Sequence, residues 1–247
     1  MGDVMKYTNI LFVSMCLLAS NMVYAADTTN TTSDSYDEVI DSEEEVYDPI
    51  EPVNRGIYEF NRWADKLVVR PIAKGYQIII PKPVRKSVRN ALCNLQEPIT
   101  ILNASFQGDA NYAFTSFGRF ALNSTFGIGG LFQVVDANQK RTEDFGQTLG
   151  HYGTNPGPYL MLPILGPSNI RDGVGRVADL FSDPSFYILS DDALLVKAGI
   201  TGIDMRESLL DVTDEVDRTS FDPYATYRSM YTQYRKNLIQ NGKDDRF

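Results

Sequence analysis

The sequence predicts an all-α protein, and two features support that prediction. Apolar side chains recur with the 3.6-residue period of an amphipathic helix along most of the chain after residue 50. Prolines and glycines divide these periodic segments into a series of helices joined by short corners. With 247 residues, 43% of them hydrophobic, the chain can bury a sizeable core, and we treat it as one folded unit.

The first helix has a start signal in residues 47–60, which read YDPIEPVNRGIYEF. Asp48 is placed to accept hydrogen bonds from the amides of a first helical turn, and Glu51 follows three residues later, as in a capping box. Because Pro52 removes a bond of the helical ladder, we expect a single turn, a bend and then the main helix over 53–70.

Further helices are expected in order along the chain, each bounded by proline, glycine or a capping aspartate. They cover residues 71–79, 84–95, 97–107, a segment starting at 108–109, 171–181, 185–189, 191–214 and a last segment that begins after Asp222 and Pro223. The segment 146–167 between them is rich in glycine, proline and large apolar residues, so we expect a long irregular loop that lipid, a partner or the body itself covers.

The last helix carries a stripe of tyrosines, Tyr224, Tyr227, Tyr231 and Tyr234, at spacings of three and four. Such a stripe is usually part of a core. Each tyrosine has one polar end, however, and four of them suit a membrane interface or a channel wall better than a dry core.

The charge of the chain is concentrated in its leader. The formal net charge is -9, but residues 27–51 hold ten acidic residues and no basic one, which leaves 21 acidic and 22 basic residues in the body. Without a strongly basic domain, nucleic acid is not expected as a partner. Residues 55–89 have a local excess of basic residues that fits anionic headgroups or, equally, a solvated face.

The leader has the layout of a secretory signal, with Lys6 before an apolar run over 10–19 that is too short to span a bilayer. Two processing sites compete. Cleavage after Ala25 fits an ordinary signal-peptidase site and is preferred, because Met15 stands where a lipobox before Cys16 needs a small residue. We therefore expect a signal peptide at 1–25, an acidic disordered tether at 26–46, a helical domain at 47–242 and a tail at 243–247.

Motifs for catalysis, metals and cofactors are missing from the sequence. The one histidine, His151, lies in a turn between glycines, and Cys93 is the one cysteine left after the signal, most simply a small buried hydrophobe. The glycine-rich segment 126–132 lacks the residues of a phosphate-binding loop. We expect no cofactor and no enzymatic activity, although a lipid hydrolase that uses His151 stays open.

Several segments, taken in order, resemble the MlaA/VacJ family of outer-membrane lipoproteins over roughly residues 47–242. They include NRGIYEFNRWADKLVVRPIA, ALCNLQEPITILNASFQGD, GRFALNSTFGIGGLFQV, RTEDFGQTLGHYGTNPGPYLMLPILGPSNIRD and SFDPYATYR. The resemblance implies an all-helical protein in the inner leaflet of the outer membrane, on its periplasmic face. It also implies a channel that takes misplaced phospholipid out of the outer leaflet, although the weak lipobox departs from the family's lipid anchor.

In that family the lipid is passed to a periplasmic carrier of the MlaC type, and the protein associates with trimeric porins. A ring-like body with apolar helix faces toward lipid and polar faces toward a channel would suit this task, since tails would stay in hydrocarbon while headgroups travel on the polar side. The alternative is a structural or virulence-associated surface lipoprotein that transports nothing.

Five residues are candidates for the channel or its gate. Phe60 and Asn61 lie on the first helix, where a channel mouth is one interpretation and a capped core helix the other. Lys197 is the only Lys or Arg between residues 176 and 206. It is expected either to reach toward water past apolar neighbours or to contact a phosphate in the channel. Tyr227 and Tyr231 complete the set.

Overall fold

The computed structural model describes residues 46–135 and 141–244. The predicted signal peptide, Cys16, nearly all of the predicted tether and residues 245–247 lie outside the described residues.

The described chain is helical apart from one small hairpin. The α-helices are α1 (Glu51–Ala64), α2 (Arg70–Ile79), α3 (Lys82–Phe106), α4 (Ala110–Thr125), α5 (Phe145–His151), α6 (Ile170–Ser182), α7 (Ser185–Ile188), α8 (Asp191–Ser208), α9 (Leu210–Thr219) and α10 (Pro223–Asp244). A π-helical segment, Asp65–Val69, joins α1 to α2. Strands β1 (Tyr159–Leu162) and β2 (Gly166–Asn169) pair in antiparallel fashion. The all-α prediction is confirmed.

The start of α1 differs from the sequence prediction. The helix begins at Glu51 without a bend at Pro52, and no side chain caps it. Asp48 does not bind the free amides of the first turn. Its carboxylate accepts hydrogen bonds from the side chains of Asn54, Tyr224 and Arg228 instead, because these partners of the folded body compete successfully for it.

Two predicted helices, 84–95 and 97–107, form one helix. Pro98 lies inside α3, which runs without a break for 25 residues. Side chains on both sides of the proline bond to other helices: Asn94 donates to Ser124, Glu97 accepts from Arg119 and Asn103 donates to Asp179. Tertiary contacts thus outweigh the local cost of the proline. Conversely, the predicted helix 191–214 is divided at Leu209 into α8 and α9.

The segment 146–167 is more regular than predicted, because it holds most of α5, all of β1 and the start of β2. Two of its glycines are there for close packing. A Cβ at Gly146 would lie 2.7 Å from a carboxylate oxygen of Asp172, and one at Gly150 would lie 2.6 Å from Ile239. By contrast, Gly153 has a positive φ and marks a real turn.

The interior is mostly polar. Among the described residues, 27 polar or charged residues are buried against 13 hydrophobic ones. The hydrophobic core is a small cluster, called the aromatic cluster below, of Tyr58, Tyr159, Met161, Tyr224 and Tyr231. Many large apolar side chains are exposed instead, which reverses the distribution of polar and apolar side chains found in a water-soluble globular protein.

Candidate functional site

Helix α6 shows this reversed distribution most clearly. Four apolar residues at helical spacing are exposed, by 48% to 59%: Ile170, Val174, Val177 and Phe181. Four charged residues and a glycine form the buried face: Arg171, Asp172, Gly175, Arg176 and Asp179. The helix is therefore amphipathic with its charged face turned into the protein.

The same arrangement holds for the neighbouring helices. In α4, Phe114 and Phe117 are exposed while Ser116 and Arg119 are buried. In α3, Val84 and Leu95 of the apolar stripe are exposed, whereas Arg85, Glu97 and Asn103 are buried. Polar faces of several helices thus point toward one interior.

Ion pairs hold these polar faces together. Arg235 of α10 lies between Asp144, with nitrogen to oxygen distances of 2.6 and 2.9 Å, and Asp172, at 2.8 Å. Asp172 also accepts from the side chain of Arg171 at 2.9 Å. These four residues together with Asp179 are called the ionic cluster, and they join α5, α6 and α10.

The pKa values of two carboxyl groups in the ionic cluster are shifted in opposite directions. Burial opposes ionisation of Asp144, but the charge and hydrogen bonds of Arg235 outweigh it, so the pKa of Asp144 lies well below its usual value. For Asp179, burial and the nearby charge of Asp144 raise the pKa to about 7. Asp179 accepts hydrogen bonds from the amide of Phe145, at 3.0 Å, and from Asn103, at 2.9 Å.

Further buried pairs connect the other helices. Arg119 of α4 contacts Glu97 of α3 at 3.1 Å, and both side chains are almost fully buried. Glu207 of α8 forms ion pairs with both Arg85 and Arg89 of α3, and Nη2 of Arg89 lies 3.0 Å from its carboxylate. Buried charge pairs therefore join α3 both to α4 and to α8.

The aromatic cluster accounts for the tyrosine stripe. Tyr231 is buried, its hydroxyl donates to Asp172 at 2.7 Å, and its ring centre lies 6.4 Å from that of Tyr159. Tyr231 therefore belongs to the core, where a buried carboxylate takes the place of water at its polar end, while its role in a channel wall stays a prediction. Tyr227 is partly buried 6.0 Å from the ring of Tyr58, and its channel role stays a prediction.

Two asparagines of α1 hold the hairpin. The side-chain amide of Asn61 donates to the carbonyl of Leu162 at 2.9 Å and accepts from the amide of Ile164 at 2.7 Å. One heptad earlier, Asn54 donates to the carbonyl of Tyr159 at 3.1 Å and accepts from the amide of Met161 at 2.9 Å. Both amides thus bind main-chain groups as an added strand would, which fixes β1 on α1.

The hairpin tip stays exposed. Ile164 is 52% exposed and has a φ of 67°, an unfavourable conformation for a β-branched residue. Phe60, next to Asn61, is half-exposed. The structure therefore brings Asn61 to the hairpin and leaves Phe60 on the outside, while their role at a channel mouth stays a prediction.

Within residues 46–135 and 141–244, no helix combines the length and apolar composition that crossing a bilayer requires.

A family model described as "MlaA lipoprotein" matches residues 46–238. The chain belongs to the MlaA lipoprotein family.

Relatives from several bacteria support the same assignment. The chain is 41% identical over 199 residues to the intermembrane phospholipid transport system lipoprotein MlaA of Escherichia coli (strain K12), covering 78% of each chain. It is 34% identical over 200 residues to the protein of that name from Haemophilus influenzae, covering 78% of this chain and 80% of that one. An uncharacterized protein of Rickettsia bellii is 36% identical over 198 residues, covering 78% of this chain and 77% of that one.

A solved structure gives the same result at the level of the fold. It is described as the structural basis for maintenance of bacterial outer membrane lipid asymmetry. The match has a TM-score of 0.70 at 35% identity and covers 78% of this chain and 98% of that chain.

In this MlaA-family body, Lys197 is buried rather than directed outward. Its ammonium donates to Asp183 at 2.7 Å and to Ser185 at 2.6 Å, so it connects α8 to the turn before α7. Reaching water past its neighbours is therefore not what this lysine does, while a phosphate contact stays a prediction. Cys93 is buried, as expected, and His151 ends α5 with its ring edge-on to Tyr152.

Sequence reasoning did not identify the ionic cluster or the hairpin. Asp144, Asp172 and Arg235 are 63 to 91 residues from their partners along the chain. One signal was available: Asp144 and Asn169 each precede a helix and cap it with a side-chain oxygen, at Gln147 and Asp172 respectively.

Proposed function

We propose that this chain transports phospholipid and thereby maintains the lipid asymmetry of the outer membrane. The observation that supports this proposal is the reversed distribution of side chains, with apolar groups outside and polar groups inside. Exposing one acyl methylene to water costs about 0.8 kcal/mol, so a long chain crosses water only against a large barrier. An apolar exterior shelters the tails, and a polar interior suits the headgroups.

We further propose where the body lies and what it serves. A ring-like domain, over residues 47–242, would sit in the inner leaflet at the periplasmic face and pass misplaced phospholipid through a polar channel to a periplasmic carrier of the MlaC type. A trimeric porin would lie beside it. Since the sequence has no nucleotide motif, the energy would come from a partner or from the lipid gradient.

The function is tested by complementation. The chain is expressed in a Gram-negative strain that lacks its own MlaA, and surface-exposed phospholipid is measured. We expect the surface phospholipid to return to the level of the parent strain. Unchanged surface phospholipid at normal expression would instead favour a structural or virulence-associated lipoprotein that transports nothing.

The membrane-facing surface is tested separately at α6. Val177 is exposed, and Val177→Lys would be nearly neutral if that face met water. If it meets acyl chains, the lysine costs about 2.5 to 3.5 kcal/mol at mid-membrane depth, less near the interface. We expect reduced recovery in the outer-membrane fraction. The control is Gln233→Lys on the exposed polar face of α10, which also carries Lys236, Asn237 and Gln240, and equal recovery of both variants would contradict the proposal.

Two further expectations concern processing and catalysis. We propose a mature chain that starts at Ala26 without lipid, and intact mass of the purified protein decides between this and a lipidated Cys16. We also infer that no catalysis is involved. His151→Ala should leave surface phospholipid unchanged, whereas a lipid hydrolase acting through His151 would lose its effect.

A further inference from the structure

Arg176 differs from the other arginines of the described residues. Its Nη2 donates to the carbonyl of Pro167 in β2 at 3.2 Å, and its Nη1 is buried without a hydrogen-bond partner. The residue is 9% exposed. In residues 46–135 and 141–244, every other arginine forms an ion pair with a carboxylate.

The carboxylate one turn earlier on α6 cannot serve Arg176, because its oxygens are occupied. Asp172 accepts hydrogen bonds from four side chains at 2.7 to 3.0 Å: Arg171, Arg235, Asn169 and Tyr231. Arg176 is left with a buried positive charge whose only hydrogen bond is to a neutral carbonyl. A buried charge without a counter-charge is unfavourable, so this arrangement needs an explanation.

The hairpin that covers Arg176 contains a second unsatisfied donor. The hydroxyl of Tyr159 in β1 is buried without a partner, and its ring lies 6.4 Å from that of Tyr231. Arg176 is close enough to Tyr231 for its charge to lower the pKa of that phenol, against the larger effect of burial. In its observed position the hairpin therefore leaves two buried donors without an acceptor, one on Arg176 and one on its own Tyr159, and this position is less favourable for that reason.

We propose that Arg176 binds the phosphate group of a phospholipid when the β1–β2 hairpin moves away from α6. The nature of the ligand rests on the proposed function, whereas the site itself rests on the unpaired guanidinium. A guanidinium offers two parallel N–H donors that match two phosphate oxygens. Phosphate would replace the Pro167 carbonyl and supply the missing negative charge.

Binding to the purified full chain tests the site directly. Native mass spectrometry in detergent measures the Kd for dioleoylphosphatidylethanolamine, for dioleoylphosphatidylglycerol and for dioleoylglycerol, which lacks phosphate. We expect Arg176→Met to weaken the binding of both phospholipids about tenfold and to leave the binding of dioleoylglycerol unchanged. Arg176→Lys should weaken phospholipid binding less. Arg218→Met, the same change at an exposed ion pair, is the matched control. Equal affinities of Arg176→Met and the normal chain would overturn the proposal.

A folding defect has a different signature. Because Met removes an uncompensated buried charge, Arg176→Met should unfold at the same temperature as the normal chain or higher. If Arg176→Met fails to fold, Arg176→Lys tests the proposal in its place. The lysine keeps the charge but loses the paired donors, so phospholipid affinity equal to that of the normal chain would contradict the proposed bidentate contact.

The position of the hairpin gives a second test. Asn61→Ala removes one of the two amide contacts that hold β1 on α1, so phosphate should reach Arg176 more easily and phospholipid binding should tighten. Adding Arg176→Met should abolish that gain. A gain that persists in the double variant would mean that the hairpin covers some other lipid site, and the assignment to Arg176 would be wrong.

Inorganic phosphate distinguishes the lipid from a free anion. We expect millimolar phosphate to compete with phospholipid in the normal chain and not in Arg176→Met. Binding of inorganic phosphate at Arg176 without any phospholipid binding would contradict the lipid headgroup as ligand. These outcomes are independent of complementation, because a chain that fails to restore asymmetry in cells can still bind phospholipid through Arg176 in detergent.

Discussion

Two buried clusters meet at α10 and differ in the interactions that hold them. The aromatic cluster joins α1, the hairpin and α10 through tyrosine rings, with centres 5.8 to 6.4 Å apart. The ionic cluster joins α5, α6 and α10 through hydrogen-bonded charges. Tyr231 of the aromatic cluster links the two, because its ring packs on Tyr159 and its hydroxyl binds Asp172 of the ionic cluster.

The difference shows how the body can leave its apolar side chains outside. A water-soluble protein would use Ile170, Val174 and Phe181 to attach α6 to its neighbours, but here Asp172 and Asp179 do so. A buried charge pair gains little over a well-packed apolar pair, yet removing one partner costs about 3 to 5 kcal/mol. A substitution in the ionic cluster should therefore lower the free energy of unfolding more than a substitution in the hairpin's contacts does.

The largest effect is expected at Arg235. Arg235→Met leaves Asp144 and Asp172 buried without their shared cation, so we expect a loss of about 3 to 5 kcal/mol in the free energy of unfolding, measured by denaturant titration in detergent. Arg218→Met is the control, since the exposed pair of Arg218 with Glu215 should contribute about 0 to 1 kcal/mol. Similar losses for both variants would show that the ionic cluster is not what holds α5, α6 and α10 together.

The next effect is a dependence on pH through Asp179. Burial and Asp144 raise its pKa from the usual 3.8 to about 7, against the opposing influence of Phe145, Asn103 and Arg235. The folded state therefore binds this proton more tightly than the unfolded state. The resulting stabilisation is fully present below pH 3.8 and is lost as the pH rises through about 7.

Asp179→Asn isolates that contribution, because an amide oxygen can still accept from Phe145 and Asn103. The normal chain should lose up to about 1.4 kcal/mol of unfolding free energy per pH unit through Asp179 between pH 4 and 7, and the variant should lack this slope. Asp144 acts in the opposite direction, since its lowered pKa stabilises the fold above its usual value of 3.8 and the contribution is lost in acid. Unfolding curves at several pH values check both slopes, and identical slopes for the normal chain and Asp179→Asn would contradict the assignment.

A smaller effect is expected where α5 crosses α6. A Cβ at Gly175 would lie 2.6 Å from the Cα of Gly146, which is main chain and cannot rotate away. Gly175→Ala should therefore cost about 1 to 3 kcal/mol. On the same helix, the nearest atom to a Cβ at Gly173 is 3.9 Å away, so Gly173→Ala should be neutral or stabilising by up to about 1 kcal/mol. Thermal unfolding of the two variants makes the comparison, and no difference would show that α5 and α6 do not pack closely.

These glycines also show what could be predicted from the sequence. Helices with a clear period and a capping residue were found, as at Asp109 and Asp222, because the signals are local. Gly146 and Gly150 were interpreted as loop residues, since a glycine that permits close packing has the same letter as one that permits a turn. Only the three-dimensional partner distinguishes the two.

The candidate site was harder to predict than the fold. The periodic stripes of α3 and α6 give the two faces of each helix, but period alone does not say which face is inside. Asp48 has the spacing of a cap, and its actual partners, Tyr224 and Arg228, are more than 170 residues away along the chain. Long-range ion pairs leave no periodic trace, so the ionic cluster could not be read from the sequence.

The smallest effect is expected at the hairpin, where Asn61 and Asn54 make equivalent contacts. Asn61 is partly exposed and a neutral hydrogen bond contributes about 0.5 to 1.5 kcal/mol, so Asn61→Ala should cost about 1 kcal/mol of global stability. Asn54 is buried and also bonds Asp48, so Asn54→Ala should cost more.

The two variants should also differ in which amides lose protection from hydrogen exchange. Amide hydrogen exchange of Asn61→Ala should quicken at Ile164 alone, because Asn54 still binds Met161, whereas Asn54→Ala should also expose Met161. Unchanged exchange at Ile164 in Asn61→Ala would show that the contacts of Asn61 do not hold the hairpin on α1.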